Sequence, residues 1–322
     1  MTEPSSPHPC LFSLQNTTVI VGLSGGPDSI CLLHFLHKLK NKNNLNIIAA
    51  HLDHEWQNTS KIAVKTCESI CNSLGITLIS NKLSEIEFEP KWNGSKEELG
   101  RNMRRYFFES IAQKHSNSVI ALAHHQQDQH ETFFIRLLRS SSLSGLIGMK
   151  QHDGLYVRPL LDWTKQKIMQ YLQDYDLTYY TDPTNLSDVY LRNRIRNHVI
   201  PSIQKIDDRF EKNLTSTMKQ LSQAEDFIQK EVSKTMITIA TDQGIDIIYF
   251  LQLHTIIQQN ILLRLIIQNQ ISCNPSQKLF KEIMRFLEKS TKNKHILHES
   301  WMIQKNKKYF LMIKYIKNDK NL

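Results

Sequence analysis

The chain is predicted to be an α/β protein: a doubly wound parallel sheet, followed by a smaller, mostly helical C-terminal domain that ends in a hairpin. Three observations lead there. An apolar run, Val19-Ile20-Val21-Gly22-Leu23, meets a glycine turn and then a helical apolar pattern at 30–36. Further apolar runs alternate with helix-like segments up to about residue 139, the order required by a parallel sheet covered on both faces. The runs contain few alternating polar residues, as strands buried on both faces should. Such a sheet binds its ligands at the carboxyl ends of its strands.

The first unit is the strand at 19–23, the turn Ser24-Gly25-Gly26-Pro27-Asp28-Ser29, and the helix beginning there. Residues 45–51 read as a second strand, and 61–74 as a helix closed by Gly75. Residues 76–79 form a third, short strand, 95–115 a long helix, and 118–123 a fourth strand followed by a helix through Arg139. From Arg158-Pro159-Leu160 the pattern becomes short helices and loops, ending at Pro201. Phe210, Leu214, Met218, Leu221 and Ile228 then fall on one stripe of a long helix. The domain boundary is expected just before it, dividing the chain into 1–208 and 209–322. Residues 248–289 read as helical, and Trp301-Met302-Ile303 and Tyr309-Phe310-Leu311-Met312-Ile313 flank a polar turn as a hairpin.

Composition bounds the function. With 322 residues, 40% of them apolar, the chain can build one large or two ordinary domains with a real core. No run approaches the roughly 20 apolar residues needed to span a membrane, and no basic flank precedes a hydrophobic segment near Met1, so no secretory signal is expected. Five cysteines at irregular spacing, without a Cys-x-x-Cys pair, make neither a disulfide framework nor a zinc or iron–sulfur site. A reduced, cytoplasmic setting fits. The net charge of +9 favours a polyanionic partner such as nucleic acid; a merely solvated lysine-rich surface is the bland alternative.

The turn at 24–29 carries the strongest chemical signal. Two adjacent glycines permit positive φ and close approach of a ligand to the backbone. The N–H groups of the turn and of the following helix make an anion site, with Ser24 and Ser29 as hydroxyl donors. Asp28 stands where it can cap the helix or approach a magnesium ion. Neither a Walker A loop nor a GxGxxG fingerprint is present, and an ordinary tight turn is the plain alternative.

A second constellation, His124-His125-Gln126-Gln127-Asp128-Gln129-His130-Glu131-Thr132, follows the fourth strand. His124, Asp128 and Glu131 stand at i, i+4 and i+7, so one helical face presents all three at the ligand edge. A metal site would need a matching ligand set elsewhere, so substrate binding ranks above it; a polar helix start is the alternative. Three further stretches complete the set: Glu97 to Tyr106, Arg136 to Met149, and the arginines of Leu191-Arg192-Asn193-Arg194-Ile195-Arg196 after Asp182-Pro183-Thr184-Asn185. Arginines spaced this way either decorate a surface or grip phosphates.

The turn resembles the pyrophosphate loop of the ATP pyrophosphatases. Together and in this order, over roughly residues 17–203, the stretches resemble the tRNA(Ile)-lysidine synthetases, with His51-Leu52-Asp53-His54, Gly145-Leu146-Ile147-Gly148-Met149 and Arg158-Pro159-Leu160-Leu161 adding to the match. The resemblance implies that ATP adenylates the oxygen on carbon 2 of the wobble cytidine of an isoleucine tRNA with a CAU anticodon, and that the ε-amine of free L-lysine displaces AMP. It implies nucleotide binding by Ser24, Gly25, Gly26, Pro27, Asp28, Ser29 and His51, with Mg2+ at Asp28. It also implies that Asp128 and Glu131 bind the lysine ammonium or magnesium, and that His124 lies beside the reacting centre. The family's arginine is assigned to Arg104, because a register shift to Arg105 would rotate the rest of that helix by about 100°. Where the family often has aspartate, this chain has Gln127. A tRNA thiolase or a non-catalytic tRNA-binding protein are the competing functions.

Overall fold

The structure, a computed structural model, describes residues 14–55, 60–87, 96–181, 188–273, 275–298 and 300–315. The chain divides into two compact units, Met1–Met218 and Lys219–Leu322. The division falls inside a long helix, whereas the apolar stripe of that helix predicts a boundary just ahead of it.

The first unit runs β1 (Thr18–Gly22), α1 (Pro27–Asn43), β2 (Asn46–Asp53), α2 (Ser60–Leu74), β3 (Thr77–Lys82), α3 (Lys96–Ala112), β4 (Ser118–Ala121), α4 (Gln126–Leu138), α5 (Leu143–Leu146), β5 (His152–Asp153), β6 (Tyr156–Val157), α6 (Lys165–Asp174), α7 (Leu191–Arg194), a π turn (Ile195–Val199), α8 (Ile200–Ile206) and the start of α9 (Phe210–Ile239). The sheet order is β3-β2-β1-β4-β6-β5. All neighbours are parallel except the β5–β6 pair. Thr18 of β1 pairs with Asn46 of β2 on one side and Ser118 of β4 on the other. The winding therefore reverses between β1 and β4, and the carboxyl ends of these two strands form the crevice where ligands bind in such sheets.

Alternation along each strand loads both faces. Val19, Val21, Ile47, Ala49 and Ala121 pack with Ile30, Leu33 and Leu36 of α1, Cys67 and Cys71 of α2, and Ile168 and Leu172 of α6. On the other face Ile20, Ala50, Leu52 and Ile120 meet Met103, Phe107, Phe108 and Ile111 of α3. The two-residue strands β5 and β6 extend the sheet beyond the four strands that the sequence pattern announces.

The second unit contains the rest of α9, β7 (Ala240–Thr241), β8 (Gly244–Asp246), α10 (Ile247–Gln252), α11 (Thr255–Gln268), α12 (Gln277–Lys289), β9 (Lys294–His298), β10 (Trp301–Lys305) and β11 (Tyr309–Lys314). The expected hairpin is β10–β11, in register from Trp301↔Lys314 to Lys305↔Phe310. It belongs to a five-stranded antiparallel sheet, β7-β8-β11-β10-β9. Ile303 and Phe310 of the hairpin are buried with Phe250, Ile261 and Ile283 of the helices. Ser276 caps α12 by accepting the Leu279 amide. Among the described residues no helix is long and apolar enough to cross a membrane.

Candidate functional site

The glycine turn leaves β1 and enters α1 with Gly26 as N-cap and Pro27 in the first turn, where the missing proline N–H costs nothing. Gly25 has φ +79°, and a Cβ there would come 3.0 Å from the carbonyl oxygen of Ala63. Both conformation and space demand glycine. The two serines brace the turn. The Ser29 hydroxyl donates to the Gly26 carbonyl at 3.0 Å and accepts from the Ser24 amide at 3.1 Å, and the Gly26 amide donates to Ser24 Oγ at 3.3 Å. Ser29 thus spends its proton inside the loop. The amides of Asp28 and Ser29 lie in the first turn, where helix geometry leaves donors without intrahelical partners.

Asp28 does not cap α1. Its Oδ1 accepts from Lys165 Nζ at 2.5 Å, and its Oδ2 lies 3.7 Å from His125 Nε2. The same histidine nitrogen lies 3.5 Å from Asp128 Oδ2. His125, buried at the N-cap of α4, therefore stands between the loop carboxylate and the second constellation, and its amide donates to Asp128 Oδ2 at 2.9 Å.

Asp128 and Glu131 sit one turn apart on α4, and both are buried. Their partners are arginines from the α7 and π-turn segment. Arg192 bridges the pair, donating from Nε to Glu131 Oε2 at 2.6 Å and from Nη2 to Asp128 Oδ1 at 2.9 Å. Arg196 grips Glu131 with two bonds, Nε to Oε1 at 2.6 Å and Nη2 to Oε2 at 3.1 Å. This planar, two-pronged geometry is particular to arginine. Burial opposes ionisation of Asp128, but His125, Arg192, His124 and the His125 amide outweigh it and hold its pKa below the ordinary carboxylate value. The π turn carrying Arg196 is a form that occurs disproportionately at functional sites.

His124 lies at the same strand end, but ahead of α4 and so not on the helical face that its spacing from Asp128 and Glu131 predicts, because the helix begins only at Gln126. Burial lowers its pKa to about 4, with Arg192, Arg158 and Arg101 adding to the effect against Asp128. Its imidazole is therefore neutral at pH 7. His51, on β2, donates from Nδ1 to the Leu23 carbonyl at 2.8 Å. This fixes the tautomer and leaves the buried Nε2 as an acceptor with no partner among the described residues. Next to it, His54 is pushed down to about 4 by burial and by Arg104. Arg104 thus lies near the β2 end, while the Arg105 guanidinium sits 5.4 Å over the Tyr156 ring and reaches Glu109. The side chain of Glu97 and residues 182–185 lie outside the described residues.

Four contributors give little or no sign in the sequence of the role they take. His125 looks like a mere neighbour of His124. The spacing of Arg192 and Arg196 suggests a phosphate grip, yet here they serve the acidic pair. Lys165 carries no local signal beyond following Arg158-Pro159-Leu160-Leu161 by a few residues. Gln127 also acquires a role: its Oε1 accepts the Lys165 amide at 2.9 Å, and its Nε2 lies 3.4 Å from both Glu211 oxygens. An aspartate at 127 would set like charge against Glu211, which accounts for the amide. Behind α4, Gln129 clamps the Met149 backbone from both sides, at 2.8 and 2.6 Å. Arg136 donates to the carbonyls of Gly145 and Gly148.

The family described as the PP-loop domain matches residues 6–203. The chain belongs to the PP-loop domain family. The turn at 24–29 lies within the matched residues. Among curated relatives, the chain is 39% identical over 193 residues to tRNA(Ile)-lysidine synthase of Clostridium tetani (strain Massachusetts / E88), covering 58% of this chain and 40% of that one. It is 33% identical over 238 residues to tRNA(Ile)-lysidine synthase of Bacillus subtilis (strain 168), covering 72% and 50%. The chain thus spans about half the length of the curated relatives it matches. Among solved structures, U34-tRNA thiolase NcsA from Methanococcus maripaludis with its 4Fe–4S cluster superposes with a TM-score of 0.54 at 16% identity, covering 64% of this chain and 72% of that one. That likeness speaks for the PP-loop fold alone.

Proposed function

We propose that this protein ligates free L-lysine onto carbon 2 of the wobble cytidine of the CAU-anticodon isoleucine tRNA, using ATP. One observation carries the reading. A PP-loop carboxylate, Asp28, and a buried acidic pair, Asp128 and Glu131, stand at neighbouring strand ends with His125 between them, in a chain 39% and 33% identical over 193 and 238 residues to relatives named tRNA(Ile)-lysidine synthase.

ATP held by the loop is attacked at its α-phosphorus by the carbonyl oxygen on carbon 2, and pyrophosphate leaves. The lysine ε-amine then attacks carbon 2. A carbon–nitrogen bond forms as the carbon–oxygen bond to AMP breaks, and the nitrogen gives up its proton. Loop amides meet the phosphate charge. Neutral His124, among Arg192, Arg158 and Arg101, suits an oxygen on which negative charge develops. Asp128 and Glu131 suit the ammonium, and the arginines that hold them keep both carboxylates oriented until it arrives. The half-exposed carboxylate of Asp28 beside a phosphate site also fits magnesium, which takes one or two carboxylates plus phosphate oxygens; when bound it neutralises charge on the pyrophosphate. A cytoplasmic setting goes with this substrate.

Three of the five cysteines do not favour a thiolase. Cys31, Cys67 and Cys71 lie in the core of the first unit, their thiols pushed up to about 12, 12 and 11 by burial, whereas cluster ligation needs accessible thiolates. The test is incorporation of labelled lysine into individual purified tRNAs, with nucleotide products followed. Lysine transfer to the CAU-anticodon isoleucine tRNA, with AMP and pyrophosphate in step, is expected. ADP accumulating instead, or no transfer to that tRNA, overturns the reading.

A further inference from the structure

The PP-loop binds a polyanion without the lysine that a Walker A loop carries, so another cation has to answer the phosphate charge. We propose that Lys165 is that residue: it leaves Asp28 when ATP binds and contacts the β- and γ-phosphates, the part that departs as pyrophosphate. The proposal rests on the nucleotide reading above and adds a residue to it.

Four observations converge. Lys165 Nζ already stands at the loop, 2.5 Å from Asp28 Oδ1, with side chains at 39% and 29% exposure, so both remain open to a ligand. Its backbone is fixed by the acidic helix, since the Lys165 amide donates to Gln127 Oε1 at 2.9 Å and the Gln126 amide to the Trp163 carbonyl at 3.0 Å. Thr164 caps α6 by accepting the Lys167 amide at 3.1 Å. The segment is therefore anchored while the four-carbon stem of Lys165 can swing. The other lysine of that turn is committed, as Lys167 Nζ lies 4.2 Å over the Trp163 ring. Arg192 and Arg196 are likewise held by Asp128 and Glu131. An ammonium parked on the loop's own carboxylate keeps the site near neutral without nucleotide. Once phosphates arrive, they offer more negative charge than one carboxylate does. No proton moves in this step, because Lys165 only neutralises charge as the bond from the α-phosphorus to the bridging oxygen breaks.

The test compares direct binding of ATP, AMP and inorganic pyrophosphate to the full chain and to Lys165→Met and Lys165→Arg, with thermal unfolding measured alongside. Removing the ammonium in Lys165→Met is expected to weaken ATP and pyrophosphate about 10- to 100-fold. AMP should change less than about 3-fold, and Lys165→Arg should recover most of the affinity. Equal weakening of all three ligands with a lowered unfolding temperature would make Lys165 a structural tie between α1 and α6, and unchanged binding would remove it from the site. Either result overturns the proposal. If the unaltered chain binds neither ATP nor pyrophosphate, the nucleotide reading fails first and the proposal with it, an outcome visible before any variant is measured.

Discussion

Glu131 is the most heavily bonded carboxylate of the site: two guanidiniums donate three hydrogen bonds to it, and it is fully buried. Glu131→Gln removes the charge and leaves both arginines facing a neutral amide. Breaking a fully buried pair costs about 3–5 kcal/mol. Here the arginines are partly exposed, so a destabilisation of about 2–3 kcal/mol is expected, seen as a lower denaturation midpoint. The same change should raise the KM for lysine more than that for ATP; the reverse order would make the acidic pair metal ligands. Asp128→Asn should be milder in stability, because Arg192 keeps its bond to Glu131. The helical spacing of Asp128 and Glu131 makes them legible in the sequence. Their partners are not, because Arg192 and Arg196 arrive from more than sixty residues away, and nothing in a local pattern records such a meeting. His125 is hidden for the same reason: only the fold sets its ring between two carboxylates.

At the scale of elements, the turn and the helix starts do the positioning. Gly25→Ala would place a Cβ against the α2 backbone from a left-handed conformation, a strain of about 1–3 kcal/mol. Because relief requires the loop to shift, ATP binding should weaken along with stability; a variant that bound ATP normally would show that the loop tolerates the movement. Gly148 is the parallel case at the other clamp, where φ is +81° and a Cβ would collide with Gln129 Oε1. Gly148→Ala should release the Met149 backbone from Gln129, read as faster amide exchange at Met149. The strands and helices of the first four strand–helix units are legible because their apolar runs are long enough to carry a period. Strands β5 to β8, of two or three residues each, are too short for any period and exist only because a neighbour offers an edge.

Across the whole molecule, three histidines make stability depend on pH. His34, His54 and His124 are each held at about 4, chiefly by burial, against an ordinary value near 6.5. Between those values the unfolded chain binds more protons than the folded one. Stability is therefore complete above about pH 6.5 and declines as pH falls toward 4, by at most about 1.4 kcal/mol per pH unit for each histidine. Unfolding midpoints at pH 7.5 and pH 5 test this, and equal midpoints would contradict it. The charge of +9 makes a second prediction. Lys278, Lys281, Arg285 and Lys289 are exposed along one face of α12, opposite buried Phe280, Ile283 and Phe286. If this face meets tRNA phosphates, charge reversal at Lys281 and Arg285 should flatten the salt dependence of tRNA binding. The log–log slope should fall by about 0.7–0.9 for each phosphate that is no longer neutralised. An unchanged slope would make the second unit a scaffold. A truncation testing the same point should end after Met218, since Glu211 and Thr215 of α9 bond to Gln127 and His130. The sequence discloses the charge but not which side of which helix displays it.

The sheet order has a last consequence, for the ribosome. β1 is joined by β2 after a short excursion, but its other edge waits for Ser118 to pair with Thr18. At about 5–20 residues per second, the roughly one hundred intervening residues take about 5–20 s to synthesise. During that interval the apolar strand β1 has one bare edge, the kind that recruits foreign strands. Slowing translation between β2 and β4 should therefore lower the soluble yield, and speeding it through that stretch should raise it.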